Sequence, residues 1–168
     1  MEDDTDESIS PFDMRQILMA APRNYGSQFE RVKRFLERLK SRHRNHVEYE
    51  DDMLAFFLNC WHLKDWVGHD DKVPEDKRNA ILNLVHADST LQLCRSLANG
   101  SKHLSPQAAE HKLTVVDMTG LSAQHDGVDL VIALKGGTVC SGYDLAHECV
   151  RAWEAIFAKS GVTFVMNK

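Results

Sequence analysis

The segment from residue 49 to residue 69 constrains the fold more than any other part of this sequence, because its apolar residues recur with the period of a long helix. At 100° per residue they fill one broad side of that helix. These residues are Met53, Leu54, Phe56, Phe57, Leu58, Cys60, Trp61, Leu63 and Val67. The remaining arc, about 120° wide, holds Asn59, His62, Asp65, Trp66 and His69. We therefore expect a central helix whose polar stripe faces a neighbour or a cleft.

Helical periodicity also marks the flanking segments. It predicts helices at residues 28–43, after Pro74, from Asp88 or Ser89 to about His103, and at residues 144–159, with one or two further turns between residues 11 and 21. Local residue types support the helix ends. Ser27 and Glu30 have the form of a capping box, Pro74 suits a first turn, and Gly161 suits a C-cap.

Between residues 111 and 141 the period changes to that of strands. Val128, Leu130, Ile132 and Leu134 alternate with Asp129, Val131, Ala133 and Lys135, which predicts a strand with one mostly buried face. Leu113–Val116 and Thr138–Cys140 predict partners on either side, the second following a Gly-Gly turn. The expected fold class is therefore α+β and predominantly α. It is a bundle of four to five helices with a small antiparallel β-hairpin or meander before the last helix.

Length and composition limit the alternatives. The 168 residues suit one domain, which we place at residues 11–168 after a flexible acidic tail at residues 1–10. A hydrophobic fraction of 43% and a charged fraction of 27% exclude wholesale disorder. No apolar run is long enough to cross a bilayer, and the N-terminal MEDDTDES lacks the pattern of a signal peptide. We therefore expect a cytoplasmic protein without membrane contact.

The four cysteines are widely spaced. Cys60, Cys94, Cys140 and Cys149 contain no Cys-x-x-Cys pair of the kind used for zinc or redox chemistry. In a reducing compartment such residues are most simply buried, inert thiols. The sequence therefore predicts neither a cysteine metal site nor a cofactor.

Positive charge is concentrated in residues 31–46. This basic strip contains Arg31, Lys33, Arg34, Arg38, Lys40, Arg42, His43, Arg44 and His46. Such a strip could contact phosphates even on a chain with a net charge of -5. The simpler alternative is a solvated helix face.

The residues most suggestive of chemistry are Arg95, Asn99 and His103. Their spacing of four places all three on one face of a continuous helix, with Lys102 about 100° away. An arginine can hold a phosphate and a histidine can transfer a proton, a combination that suits metal-free cleavage of RNA. In a purely structural alternative, Arg95 pairs with Asp65 or Asp88, Asn99 is a buried hydrogen-bonding residue, and His103 bonds the carbonyls of its helix end.

A second polar group follows the stripe of the central helix. His62, Asp65 and His69 occupy positions i, i+3 and i+7, and His103 or Asp70 could join them. Helical bundles build metal sites from such side chains, but the His-Glu-x-x-His and Glu-x-x-His signatures are absent. It is simpler that Asp65 orients His62 or receives Arg95. We expect no metal here.

Two short motifs together resemble the HEPN-like superfamily. They are Cys60-Trp61-His62-Leu63-Lys64-Asp65-Trp66 and Arg95…Asn99-Gly100-Ser101-Lys102-His103. The similarity in element order extends over about residues 25–160, and the Asn-x-x-Lys-His ending is typical of an uncharacterised bacterial branch. The strict nuclease signature of the superfamily places fewer residues between its arginine and histidine than the seven found here.

The resemblance implies a function for these residues. Catalytic HEPN proteins are helical, usually dimeric, metal-independent ribonucleases of toxin–antitoxin and phage-defence systems. By this resemblance Arg95, Asn99 and His103 would be catalytic, with His62, Asp65 and Lys102 in support. RNA, a cognate antitoxin or defence partner and a second copy of the chain would be the partners. The alternative is a noncatalytic regulatory module that binds a nucleotide, a nucleic acid or a protein partner in the same groove.

Overall fold

A computed structural model describes residues 24–40, 46–100, 112–117, 128–133 and 139–162. These residues form five helices and three strands. In chain order they are α1 (Tyr25–Leu39), α2 (His46–Gly68), α3 (Glu75–Ala87), α4 (Ser89–Gly100), β1 (Lys112–Asp117), β2 (Val128–Ala133), β3 (Val139–Ser141) and α5 (Gly142–Lys159). The predominantly α fold with a small antiparallel sheet before the last helix is therefore confirmed.

Helix α2 lies at the centre of the described structure, because it contacts every other helix and strands β1 and β2. Its inner side chains have no exposed surface; they are Met53, Phe56, Phe57, Cys60, Leu63 and Val67. Leu54 and Leu58, which extend the apolar side, are only half-buried. The periodicity of this segment thus predicted both the helix and its buried side.

The sheet is an antiparallel meander in the order β1-β2-β3. In β2, Leu130 and Ile132 are completely buried, as the alternation predicts. The same alternation placed Asp129 on the exposed face, and this was wrong: Asp129 is also fully buried. Its carboxylate accepts hydrogen bonds from the Tyr49 and Ser141 hydroxyls and from the backbone N–H of Leu130 and Tyr143. These donors replace the water that a carboxylate otherwise requires.

Helix ends follow local chemistry, with two corrections. The N-cap of α1 is Asn24 rather than Ser27: Asn24 Oδ1 accepts from the Ser27 N–H at 2.8 Å, and Ser27 Oγ accepts from the Asn24 N–H at 3.3 Å. Pro74 precedes α3 instead of lying in its first turn. Asp88 caps α4 through the Leu91 N–H at 2.9 Å, and Gly161 ends α5 with a φ of 62°, both as predicted.

Several predictions fall outside the described residues. They concern the acidic tail at residues 1–10, the turns between residues 11 and 21, the end of the first helix after Lys40, and the C-terminal residues after Val162. Within the described ranges, no helix combines the length and the apolar character needed to cross a bilayer.

Candidate functional site

Three helices bring basic side chains to the indole of Trp61. Lys64 Nζ of α2 lies 5.1 Å from the centre of the ring, and Arg95 Cζ of α4 lies 5.9 Å from it. His86 of α3 meets the same ring edge-to-face, with centroids 6.2 Å apart. Trp61 itself is only 7% exposed. It therefore holds cations at its face and is too buried to stack on a base. We call Trp61, Lys64, His86 and Arg95 the Trp61 cluster.

Asp65 connects this cluster to His62. Its carboxylate pairs with Lys64 Nζ, and its Oδ2 lies 2.9 Å from His62 Nδ1. Burial alone would raise the pKa of Asp65, but the hydrogen bonds and charges of Lys64 and His62 outweigh it and lower the pKa below its ordinary value. The two sequence motifs are thus joined by one series of contacts, Arg95–Trp61–Lys64–Asp65–His62.

The two predicted residues of α4 that are described, Arg95 and Asn99, are both exposed. The alternative in which Asn99 is buried is therefore wrong. Arg95 Nη1 donates to Gln92 Oε1 at 3.2 Å. Neither Asp65 nor Asp88 is its ion-pair partner in the described residues. Asp65 pairs with Lys64 and His62 instead, and Asp88 caps α4. Lys102 and His103 lie outside the described residues.

Three arginines and one phenylalanine of α1 line the same surface pocket. Arg31, Arg34, Phe35 and Arg38 line a surface pocket of about 270 Å³; we call these four residues the α1 patch. Arg38 lies with Cζ 5.1 Å from the Phe35 ring and pairs with the buried Asp52 at 2.8 Å. Arg31 and Arg34 are exposed. Arg38 is exposed as well, but its guanidinium is paired with Asp52.

Elsewhere on α1 the basic strip is locally neutralised. Lys33 pairs with Glu30, and Lys40 pairs with Glu37 at 2.6 Å, each one helical turn away. The two lysines thus have acidic neighbours on the helix, whereas the arginines line the pocket. Residues 41–45 of the strip lie outside the described ranges.

The α1 patch and the Trp61 cluster flank the polar stripe of α2. Arg31 Cζ lies 6.0 Å from the Trp66 ring, and Gln28 donates to Asn59 Oδ1 at 3.1 Å, so α1 borders the stripe at these residues. Trp61 and Trp66 are five residues apart, which separates them by about 140° around a helix. His62 and Asp65 lie in the arc between them. Basic groups therefore stand on both sides of the His62–Asp65 pair.

The stripe does not form a metal site in the described structure. His69 Nδ1 lies 2.7 Å from the Asp65 carbonyl oxygen, and the Asp70 carboxylate accepts from the N–H groups of Tyr25 and Lys72. These side chains are used for local hydrogen bonds. Among the described residues, the one set of side chains that brings three potential metal ligands together is Cys60, Cys94 and Cys149.

The three cysteines meet in the core where α2, α4 and α5 pack. Their sulfur atoms lie within 4.8 Å of one another, and none of the three residues has exposed surface. Burial raises the pKa of the Cys94 thiol. At Cys60 burial acts in the same direction, but the nearby thiols of Cys149 and Cys94 and the Trp153 indole outweigh it and lower the pKa below its ordinary value. Cys140 of β3 stands apart and is only half-buried.

Comparisons with known protein families, curated proteins and solved structures find no match for this chain. The HEPN-like assignment therefore stays a prediction.

Sequence reasoning missed two groupings. The first is the contact of Lys64, His86 and Arg95 with the same Trp61 ring. The sequence indicated only the part of it that lies in the motif with Trp61 and Lys64, because His86 comes from a third helix. The second is the cysteine cluster, which had no signal in the sequence. Cys60 and Cys94 are 34 residues apart in sequence, and Cys94 and Cys149 are 55 residues apart. Only the packing of three helices brings these cysteines together.

Proposed function

We propose that this chain is a HEPN-like, RNA-directed module of the toxin–antitoxin or phage-defence type. The observation that supports the proposal most strongly is the α1 patch, in which three arginines and one phenylalanine line the same surface pocket. Guanidinium groups bind phosphate oxygens in a bidentate way, and aromatic rings next to them contact bases. Such a patch suits a single-stranded nucleic acid better than a small neutral ligand.

The Trp61 cluster provides a second contact for the RNA backbone. Lys64 and Arg95 both lie at the Trp61 ring, and Arg95 is exposed. A strand that contacts Arg31 on one side of α2 and Arg95 on the other crosses the His62–Asp65 pair. A nucleic acid can make contacts along this whole path because its phosphate charges repeat, whereas a single phosphate ion can contact only one point of it.

Cleavage of the bound RNA is the second part of the proposal, and the exposure of Arg95 and Asn99 favours it. In this mechanism His103 acts as the acid and base, and Arg95 steadies the phosphate as charge develops on it. Asn99, Lys102, His62 and Asp65 support the site. A homodimer and a cognate antitoxin or defence partner, which the family resemblance implies, belong to the same proposal.

Binding is tested by fluorescence anisotropy of a labelled single-stranded RNA over a series of salt concentrations. We expect the dependence of log Kd on log salt to become shallower by roughly 1.4 in the double variant Arg31→Ala/Arg34→Ala, because each phosphate contact with a single strand contributes roughly 0.7. Arg151→Ala is the matched control, since Arg151 is an exposed arginine of α5 outside both groups and pairs with Glu148 at 3.1 Å. Equal slopes for the wild type and the double variant would refute the proposal.

Cleavage is tested by incubating mixed RNA with the wild type and with His103→Ala in the presence of a chelator. Cleavage by the wild type and its loss in the variant would support a metal-independent ribonuclease. If RNA binds with the expected salt dependence but is not cut, the noncatalytic binding module is the correct alternative. Equal cleavage by both proteins would exclude His103 as the acid and base.

A further inference from the structure

Three helices each contribute one cysteine to a single point in the core. The Sγ atoms of Cys60 in α2, Cys94 in α4 and Cys149 in α5 lie within 4.8 Å of one another. Metal–sulfur bonds to zinc are about 2.3 Å long. Three sulfurs bound to one such ion are then separated by about 4 Å by simple trigonal geometry. The observed arrangement therefore needs only a small contraction to enclose an ion.

The chemistry of the three ligands selects for soft metal ions. Thiolates prefer ions such as Zn²⁺ and Cu⁺ over the hard ions Mg²⁺ and Ca²⁺. Two of the sulfurs now contact backbone carbonyls: Cys94 Sγ lies 3.5 Å from the Phe57 oxygen and Cys149 Sγ lies 4.0 Å from the Thr90 oxygen. Because S–H groups are weak donors, little is lost when these contacts give way to metal–sulfur bonds.

The indole N–H of Trp153 supplies a second, independent observation. Trp153 is completely buried, and its Nε1 makes no hydrogen bond within the described residues. The same group lies close to the Cys60 sulfur. A buried donor without an acceptor is costly, and a metal-bound thiolate would provide the missing acceptor. Donors of this kind, placed behind the ligands, orient thiolates and offset their charge.

We propose that Cys60, Cys94 and Cys149 form a closed three-thiolate site for a soft metal ion. Binding consumes no oxidant: each protonated thiol releases its proton to solvent as its sulfur bonds to the ion. With a divalent ion the site has one net negative charge, and with a monovalent ion it has two. Because the core is dry, the smaller charge favours a divalent ion such as Zn²⁺.

The ion would connect α4 to α2 in the core, next to the residues of the Trp61 cluster. Cys60 immediately precedes Trp61 in the chain, and Cys94 immediately precedes Arg95. A metal at the sulfurs therefore fixes the distance between the two helices that bring Lys64 and Arg95 to one ring. The role is structural and does not depend on what the surface binds.

The site is tested on reduced, chelator-treated protein titrated with Cd²⁺, whose thiolate complexes absorb in the near ultraviolet. We expect saturation at one ion per chain, a rise in Tm, and competition by Zn²⁺. Cys94→Ala and Cys149→Ala should lose the absorption band, and Cys140→Ala should keep it, since Cys140 lies outside the cluster. Absence of the band in the wild type would overturn the proposal, and so would its retention in Cys94→Ala.

A second measurement keeps the test decisive if the core variants fail to fold. Native wild-type protein is alkylated with and without Cd²⁺ and the labels are located by mass spectrometry. The ion should slow labelling of the three core cysteines and leave that of Cys140 unchanged; equal rates would contradict the proposal. Trp153→Phe should weaken binding by roughly 10–100-fold while keeping the band, a pattern that a purely packing role of the indole would not produce.

Discussion

At the scale of single residues, Asp65 shows how local charge arranges the polar stripe of α2. Its carboxylate contacts both Lys64 and His62, and these contacts lower its pKa. Lys64 in turn lies at the Trp61 ring that also receives Arg95. Lys64 and Trp61 thus lie between Asp65 and Arg95, and the direct Asp65–Arg95 pair considered from the sequence does not form in the described residues.

Replacing Asp65 by Asn should reduce stability in a pH-dependent way. The folded-state pKa of Asp65 lies below its unfolded value, so the carboxylate stabilises the fold above the unfolded pKa, and this contribution is lost as the pH falls through the folded pKa. Because the pair is partly exposed, we expect a loss of less than about 1 kcal/mol at pH 7 that shrinks below about pH 4. Urea denaturation at pH 3 and pH 7 measures both values.

Asp51→Asn is the matched control for that experiment, since Asp51 is an exposed aspartate of the same helix. It should leave stability almost unchanged at either pH. A loss in Asp65→Asn that is the same at pH 3 and pH 7 would show that the effect comes from packing and not from charge.

At the scale of elements, the first turn of α5 packs closely on β2 because Gly142 has no side chain. A Cβ at this position would lie 2.8 Å from the Leu130 carbonyl oxygen, 3.1 Å from Leu130 Cβ and 3.3 Å from Met53 Cε. Two of these contacts involve atoms that cannot move without shifting the strand. The close approach of α5, β2 and α2 therefore requires glycine.

Gly142→Ala should destabilise the protein by more than about 1 kcal/mol, because the helix must move off the strand. Gly100→Ala provides the comparison, since a Cβ there meets nothing within 4 Å among the described residues and Gly100 is the last residue of α4. We expect that change to be neutral or to stabilise by up to about 1 kcal/mol. Thermal unfolding of the two variants gives the difference directly, and equal Tm values would contradict the packing argument.

At the scale of the whole molecule, Asp129 connects the sheet to the helical bundle. Its carboxylate binds Tyr49 of α2, Ser141 at the end of β3 and the Tyr143 N–H in the first turn of α5. Negative charge at the N-terminal turn of a helix is also favourable. Burial, together with the charge and the hydrogen bond of Asp129, raises the pKa of Tyr49, which keeps its hydroxyl protonated as a donor.

Asp129→Ala should cost at least about 3 kcal/mol, because several buried donors lose one acceptor at once. Tyr49→Phe removes a single hydrogen bond to the carboxylate and should cost about 1.5–3 kcal/mol. Chemical denaturation of both variants gives the two free energies of unfolding. A smaller loss for Asp129→Ala than for Tyr49→Phe would show that Asp129 does not unite these elements.

The sequence by itself determined the secondary structure, the central position of α2 and the sheet before the last helix. Each follows from a local signal: the 3.6-residue period around Phe56 and Leu63, the two-residue period around Leu130 and Ile132, and the capping chemistry of Asp88 and Gly161. That Arg95 and Asn99 share a face was also predictable from their spacing of four, but only the structure decided that this face is exposed.

Tertiary structure alone decided which distant residues meet. The burial of Asp129 depends on Tyr49, 80 residues away, and the contact of Arg95 with Trp61 depends on how α4 packs on α2. The convergence of Cys60, Cys94 and Cys149 depends on three helices together. Periodicity defines which side of a helix is buried but not which neighbour covers it, because apolar burial is non-directional and the final pairing is set by side-chain packing.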